Sequence, residues 1–156
     1  MKHNVRFLCR AALIAALYVA LTFLAALLGL PSGVIQVRFS EALCVLPAFT
    51  GAAVPGLFVG CLLANFLTGA VLPDIVFGSL ATLIGALGAY VLRKNKWLVP
   101  LPTVVANTLI IPPILRFAYG AEGSLPYFTL TVGVGEILSA YVLGLLLCAV
   151  LNKYKA

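Results

Sequence analysis

Only four acidic side chains stand in a chain of 156 residues that is 63% hydrophobic, and Glu136 is the most costly of them. It lies in Thr131-Val132-Gly133-Val134-Gly135-Glu136-Ile137-Leu138-Ser139, an apolar run with no second charge. A carboxylate in such a segment costs about 2.5–3.5 kcal/mol to insert unless it meets a partner or water. It therefore points to a ligand or proton site, or else to a protonated or paired group that locks two helices. A second candidate is Gln36-Val37-Arg38-Phe39-Ser40-Glu41, which sets a cation and a carboxylate between two hydrophobic blocks. We read this stretch as one wall of a ligand site. Its plainer reading is a local Arg38–Glu41 pair at a helix start, with Ser40 as cap and Glu41 in the positive first turn.

Other polar residues sit at similar depth. Asn107 falls mid-way along an apolar segment, and Pro112-Pro113 beyond it frees backbone carbonyls of the kind that membrane sites use. Asn65 and Arg116 could complete a polar cavity, against the simpler options of an interhelical hydrogen bond and of a side chain snorkelling to the surface. Asp74, after Pro73, reads as a helix cap, and Glu122 as an exposed loop residue.

These residues need elements to position them, and composition says which kind. With 9% charged residues and a mean hydropathy of +1.18, the chain has too little polar surface for a water-soluble globule, so it reads as an integral membrane protein. The net charge of +6 does not indicate nucleic acid, because the basic residues form three small clusters that each border an apolar segment. Cys9, Cys44, Cys61 and Cys148 lack metal or disulfide spacing. No catalytic residue, metal or cofactor is expected.

The pattern predicts a single membrane domain, 1–156, with helices at about 7–30, 41–50, 54–69, 73–92, 98–119 and 125–151. The first segment is longer than the hydrophobic region of a signal peptide, about 7–15 residues, and more apolar spans follow, so it reads as a retained helix. It carries Ala12, Ala16 and Ala20 at every fourth position, with Ala11 and Ala15 alongside. Such a flat stripe serves close helix approach, whether inside the protein or with a partner. Residues 41–69 are long enough for one tilted span but are interrupted by Pro47, Gly51, Pro55 and Gly56. Two short helices put the N-terminus, Arg93-Lys94-Asn95-Lys96 and the C-terminal Lys153 and Lys155 on one side. The positive-inside rule therefore favours six spans with both termini cytoplasmic, and with Arg38, Glu41, Asp74 and Glu122 near the outer surface.

Missing motifs narrow the mechanism. Without GxxxxGK[ST] the chain has no phosphate loop for ATP, and without HExxH, GxSxG or a Cys/His cluster the common membrane hydrolase chemistries lack their groups. At 16.4 kDa, with no inverted repeat, it is small for a self-sufficient transporter. A substrate-binding subunit that borrows its energy fits better.

Arg10–Val19, then Gln36-Val37-Arg38-Phe39-Ser40-Glu41-Ala42-Leu43, Leu72-Pro73-Asp74-Ile75-Val76-Phe77-Gly78-Ser79-Leu80-Ala81-Thr82 and Val134–Ser139 resemble the QueT family over nearly the whole chain. This family comprises queuosine-precursor uptake proteins, the substrate-binding S components of energy-coupling factor (ECF) transporters. The resemblance implies a six-helix bundle in a bacterial plasma membrane, with a transmembrane coupling subunit and two cytoplasmic ATPases as partners. The alanine stripe on Ala12, Ala16 and Ala20 would dock the coupling subunit, and the S component would topple to deliver its cargo. The implied ligand is a 7-deazaguanine such as preQ0, preQ1 or queuine. Its N–H and amino edge suits Glu136, its carbonyl edge suits Asn107 or Asn65, and Phe39 or Tyr141 could stack on the ring. Glu41 would balance the aminomethyl cation of preQ1, and Arg38 could bond ring acceptors or orient Glu41. Other readings remain: an S component for another vitamin such as thiamine or riboflavin, or a small membrane enzyme or structural bundle.

Overall fold

The fold, a computed structural model, is described for residues 2–32 and 35–155; Gly33, between the first two expected helices, lies outside them. Every regular element is helical: α1 (Lys2–Leu27), a short 3₁₀ turn (Leu30–Ser32), a 3₁₀ helix (Phe39–Ala48), α2 (Ala53–Leu67), α3 (Leu72–Val91), α4 (Leu101–Phe117), α5 (Leu125–Glu136), a π-helical segment (Ile137–Val142) and α6 (Leu143–Lys155). The last three form one continuous rod. Residues 41–69 thus fold as two elements joined at 49–52, not as one tilted helix.

Among the described residues, three helices are long and apolar enough to cross a membrane, Asn4–Leu27, Leu72–Val91 and Leu125–Tyr154, and three apolar helices are shorter. Large apolar side chains face outward: Leu13 is 71% exposed, Leu130 68% and Phe117 76%. Much of the interior is alanine, glycine, serine and asparagine, with Ala25, Ala53, Ala64, Ala81 and Ala89 fully covered. This arrangement belongs to lipid, where acyl chains solvate the outer leucines and small residues let backbones approach. At the α1–α2 crossing, a Cβ on Gly56 would stand 2.7 Å from the Ala11 carbonyl oxygen, and one on Gly60 2.8 Å from Tyr18 Cβ. The two helices meet where α2 has no side chains.

The 3₁₀ helix is the centre of the bundle, packing on α1, α2, α3, α6 and the π segment. Ten residues is long for a 3₁₀ helix, whose rise of about 2.0 Å per residue carries this one through ~20 Å. Its backbone is tolerated because protein encloses it, and Ser40, Glu41, Leu43, Cys44, Val45 and Pro47 are all buried. Ser40 does not cap it. The helix starts after Arg38 with no side-chain cap bond, and Ser40 Oγ lies 3.0 Å from Thr22 Oγ1 of α1.

The two ends of the bundle differ in charge. Arg6 and Arg10 border a cleft with the turn Thr50–Ala52, Gly51 adjoins the Tyr90 ring, and the Arg93 guanidinium stacks 4.5 Å from that ring's centre. Cys148 packs with Ala89 and Val99, which brings α6 to the same end. At the opposite end Tyr119 joins the start of α3. The basic clusters therefore share one end, and Asp74 with Tyr119 stands at the other, the arrangement expected of six helices with both termini on one side.

Candidate functional site

The loop before the 3₁₀ helix is clamped between the turn that follows α1 and the π segment. The Val37 amide donates to Leu30 O at 3.4 Å and the Arg38 amide to Ser139 Oγ at 3.0 Å. Gly135 lets the loop close on α5, because a Cβ there would collide with the Gln36 carbonyl oxygen. Glu136 and Ser139 flank the start of the π segment, whose wider turn re-aims successive side chains and is frequent at functional sites. Both residues face inward, Glu136 at 9% exposure and Ser139 at 1%.

A small polar cavity of about 20 Å³ lies beneath this clamp. Gln36, Arg38 and Glu41 form its cover; Cys61 and Asn65 of α2 and Gly78 and Thr82 of α3 form one side. Asn107 and Ile111 of α4, with Val132 and Glu136 of α5, form the other. Five polar residues singled out in the sequence, Glu136, Asn107, Glu41, Arg38 and Asn65, thus come together from five different elements. Phe39 and Tyr141 do not line the cavity, so neither ring is placed to stack on a molecule inside it. The carbonyls freed by Pro112 and Pro113 belong to Thr108 and Leu109, four residues earlier, and these residues do not line it either. Arg116 is exposed, with Nη1 donating to Ala121 O at 3.4 Å.

Hydrogen bonding differs among the carboxyl groups. Glu41 Oε1 accepts from the Tyr18 hydroxyl at 2.6 Å, and Oε2 accepts a long bond of 3.5 Å from Asn107 Nδ2. Glu136 Oε2 is buried with no hydrogen-bond partner within the protein. Such an oxygen costs about 1–3 kcal/mol in lost solvation, so it is poised to accept. Asp74 was expected to cap α3; the cap position is Val71 instead, and Asp74 stands in the first turn. Its Oδ2 accepts from the Tyr119 hydroxyl at 2.7 Å, and the Tyr119 oxygen accepts from the Val71 amide at 3.4 Å. Partial burial, followed by the bond to Asp74, pushes the Tyr119 phenol up to about 12.

Comparison with known families decides the class. A family model described as QueT transporter matches residues 8–153. The chain belongs to the QueT family. Searches of curated proteins and of solved structures give no match. As a QueT protein it is a membrane transporter. Three of the QueT-like stretches border the cavity directly: Gln36-Val37-Arg38-Phe39-Ser40-Glu41 supplies three lining residues, Leu72–Thr82 supplies Gly78 and Thr82, and Val134–Ser139 supplies Glu136.

Sequence reasoning missed Tyr18, Thr82, Cys61 and the burial of Asp74. Tyr18 gave little local signal, being one hydroxyl in an apolar helix. Asp74 gave a misleading one, because proline followed by aspartate reads as a helix start whatever lies behind it.

Proposed function

We propose that this QueT protein is the S component of an ECF importer and that its cavity binds a queuosine precursor: preQ0, preQ1 or queuine. The observation that carries the reading is Glu136 Oε2, a buried acceptor without a partner on a cavity wall, in a chain of a transporter family named for this cargo. A deazaguanine offers an N–H and an amino group side by side, which one carboxylate can accept together. Asn65 or Asn107 then bonds the carbonyl edge, Arg38 bonds ring acceptors, and Ile111 and Val132 offer apolar surface to the ring faces.

The cavity holds about one water as it stands, so a fused ring enters only when the lining separates. A larger cavity of about 230 Å³ shares Gln36 and Val132 with it, which makes these two residues the wall to move. On this reading the basic end is cytoplasmic and the acidic end faces out, in a bacterial plasma membrane. Energy comes from a transmembrane coupling subunit and two cytoplasmic ATPases. Ala12, Ala16 and Ala20 form their docking stripe, and all three are exposed.

Calorimetry of the purified protein in detergent tests the proposal, with preQ0, preQ1, queuine, guanine, thiamine and riboflavin as ligands. We expect saturable, deazaguanine-selective binding that Glu136→Gln weakens about ten- to a hundredfold, the range for a lost charged hydrogen bond. Selective binding of thiamine or riboflavin would replace the ligand. A folded protein that binds none of these compounds would overturn the cargo reading.

A further inference from the structure

Glu136 is not the only buried acceptor left open beside the cavity. Asp74 is 5% exposed; Tyr119 satisfies its Oδ2 at 2.7 Å, but Oδ1 is buried with no hydrogen-bond partner within the protein. Oδ1 faces Gly78, which lines the cavity. A Cβ on Gly78 would stand 3.0 Å from Asp74 Oδ1 and 3.1 Å from Asn65 Nδ2. The missing side chain is what leaves the space between the cavity and this oxygen open. We infer that Asp74 is the subsite for a protonated amine carried by the transported ligand, so that the protein selects heterocycles with a cationic substituent over neutral ones.

Charge accounting around the cavity agrees. Three carboxyl groups, Glu41, Glu136 and Asp74, stand at or just behind its wall with one guanidinium, Arg38. If Glu136 accepts the base edge, Arg38 is the single cation near both Glu41 and Asp74, which leaves negative charge in excess, and of these two carboxylates Asp74 is the one with an oxygen left open. Glu41 is also the poorer amine acceptor, because Tyr18 and Asn107 already engage both of its oxygens. A hard divalent ion is not the occupant this geometry suits. Such ions take six or more oxygens or keep several waters, and among the described residues no group of three His, Cys, Asp or Glu could hold a metal. A protonated amine needs only an acceptor or two and a negative charge.

The inference rests on the deazaguanine reading, and its test separates the two. The intact protein is titrated with preQ1, whose aminomethyl group is cationic, and with preQ0, whose nitrile is neutral. Asp74→Asn keeps an acceptor for Tyr119 and removes the charge; Gly78→Ala keeps the charge and puts a methyl in the open space. Asp74→Asn is expected to weaken preQ1 about ten- to a hundredfold while preQ0 stays within about twofold, and Gly78→Ala to shift preQ1 in the same direction. Equal losses for both ligands, or no loss of preQ1, would overturn the role of Asp74 and leave the deazaguanine site standing. Wild-type protein that binds neither compound would overturn both.

Discussion

The two faces of α1 carry the same residue type into opposite surroundings. Ala11 and Ala15, with Ile14 and Tyr18, are buried against α2, where Gly56 and Gly60 bring the backbones together. Ala12, Ala16 and Ala20, one position further round the helix, are exposed. An alanine stripe therefore does not say whether it packs inside the molecule or waits for a partner. The difference lies in what stands opposite: glycines four residues apart on α2 absorb one stripe, and no element among the described residues covers the other. The buried face also reaches the cavity, because Tyr18 rises from it to hold Glu41.

The largest effect is expected from overfilling the buried face. Ala15→Leu adds three carbons where the Ala15 Cα is 3.0 Å from the Cβ position of Gly60, and overpacking of this kind costs about 1–3 kcal/mol. Thermal unfolding in detergent should fall by several degrees; an unchanged midpoint would mean that α1 and α2 do not pack in this register. A more local effect should follow Tyr18→Phe, which keeps the packing and removes the donor to Glu41 Oε1. The cost of about 1–3 kcal/mol for an abandoned buried acceptor should appear as weaker ligand binding in calorimetry, with a modest drop in melting. If affinity holds, Glu41 plays no part in shaping the cavity. Least of all should Ala16→Leu disturb the isolated protein, since exposed substitutions stay within about 0.5 kcal/mol. Uptake by cells that also express the coupling subunit and ATPases should nevertheless be lost. Retained uptake would place the docking surface elsewhere and leave the exposed stripe as lipid contact.

Several parts of the site were legible because lipid makes polarity expensive. Glu136, Asn107, Glu41, Arg38 and Asn65 stand out in apolar sequence, and the structure gathers all five around one cavity. Phe39 and Tyr141 were chosen as aromatic neighbours in sequence, and both stand outside the lining. A membrane helix that is apolar on every side carries no amphipathic period to show which face turns inward. Adjacent residues can therefore point to opposite sides without a local sign of it.

What the sequence determined is the class, the helical elements and the end that carries each charge. These follow from segment length, from helix-breaking prolines and glycines, and from the cost of moving charge across lipid. Tertiary structure decided how each helix is rotated and which polar groups meet. The central stretch became a buried 3₁₀ helix because protein encloses its backbone on several sides, the end of α5 and the π segment after it turned Glu136 and Ser139 to the interior, and Asp74 exchanged a helix cap for Tyr119 and an open oxygen beside Gly78. Each of these outcomes depends on contacts between residues far apart in the chain, and local spacing holds no record of them.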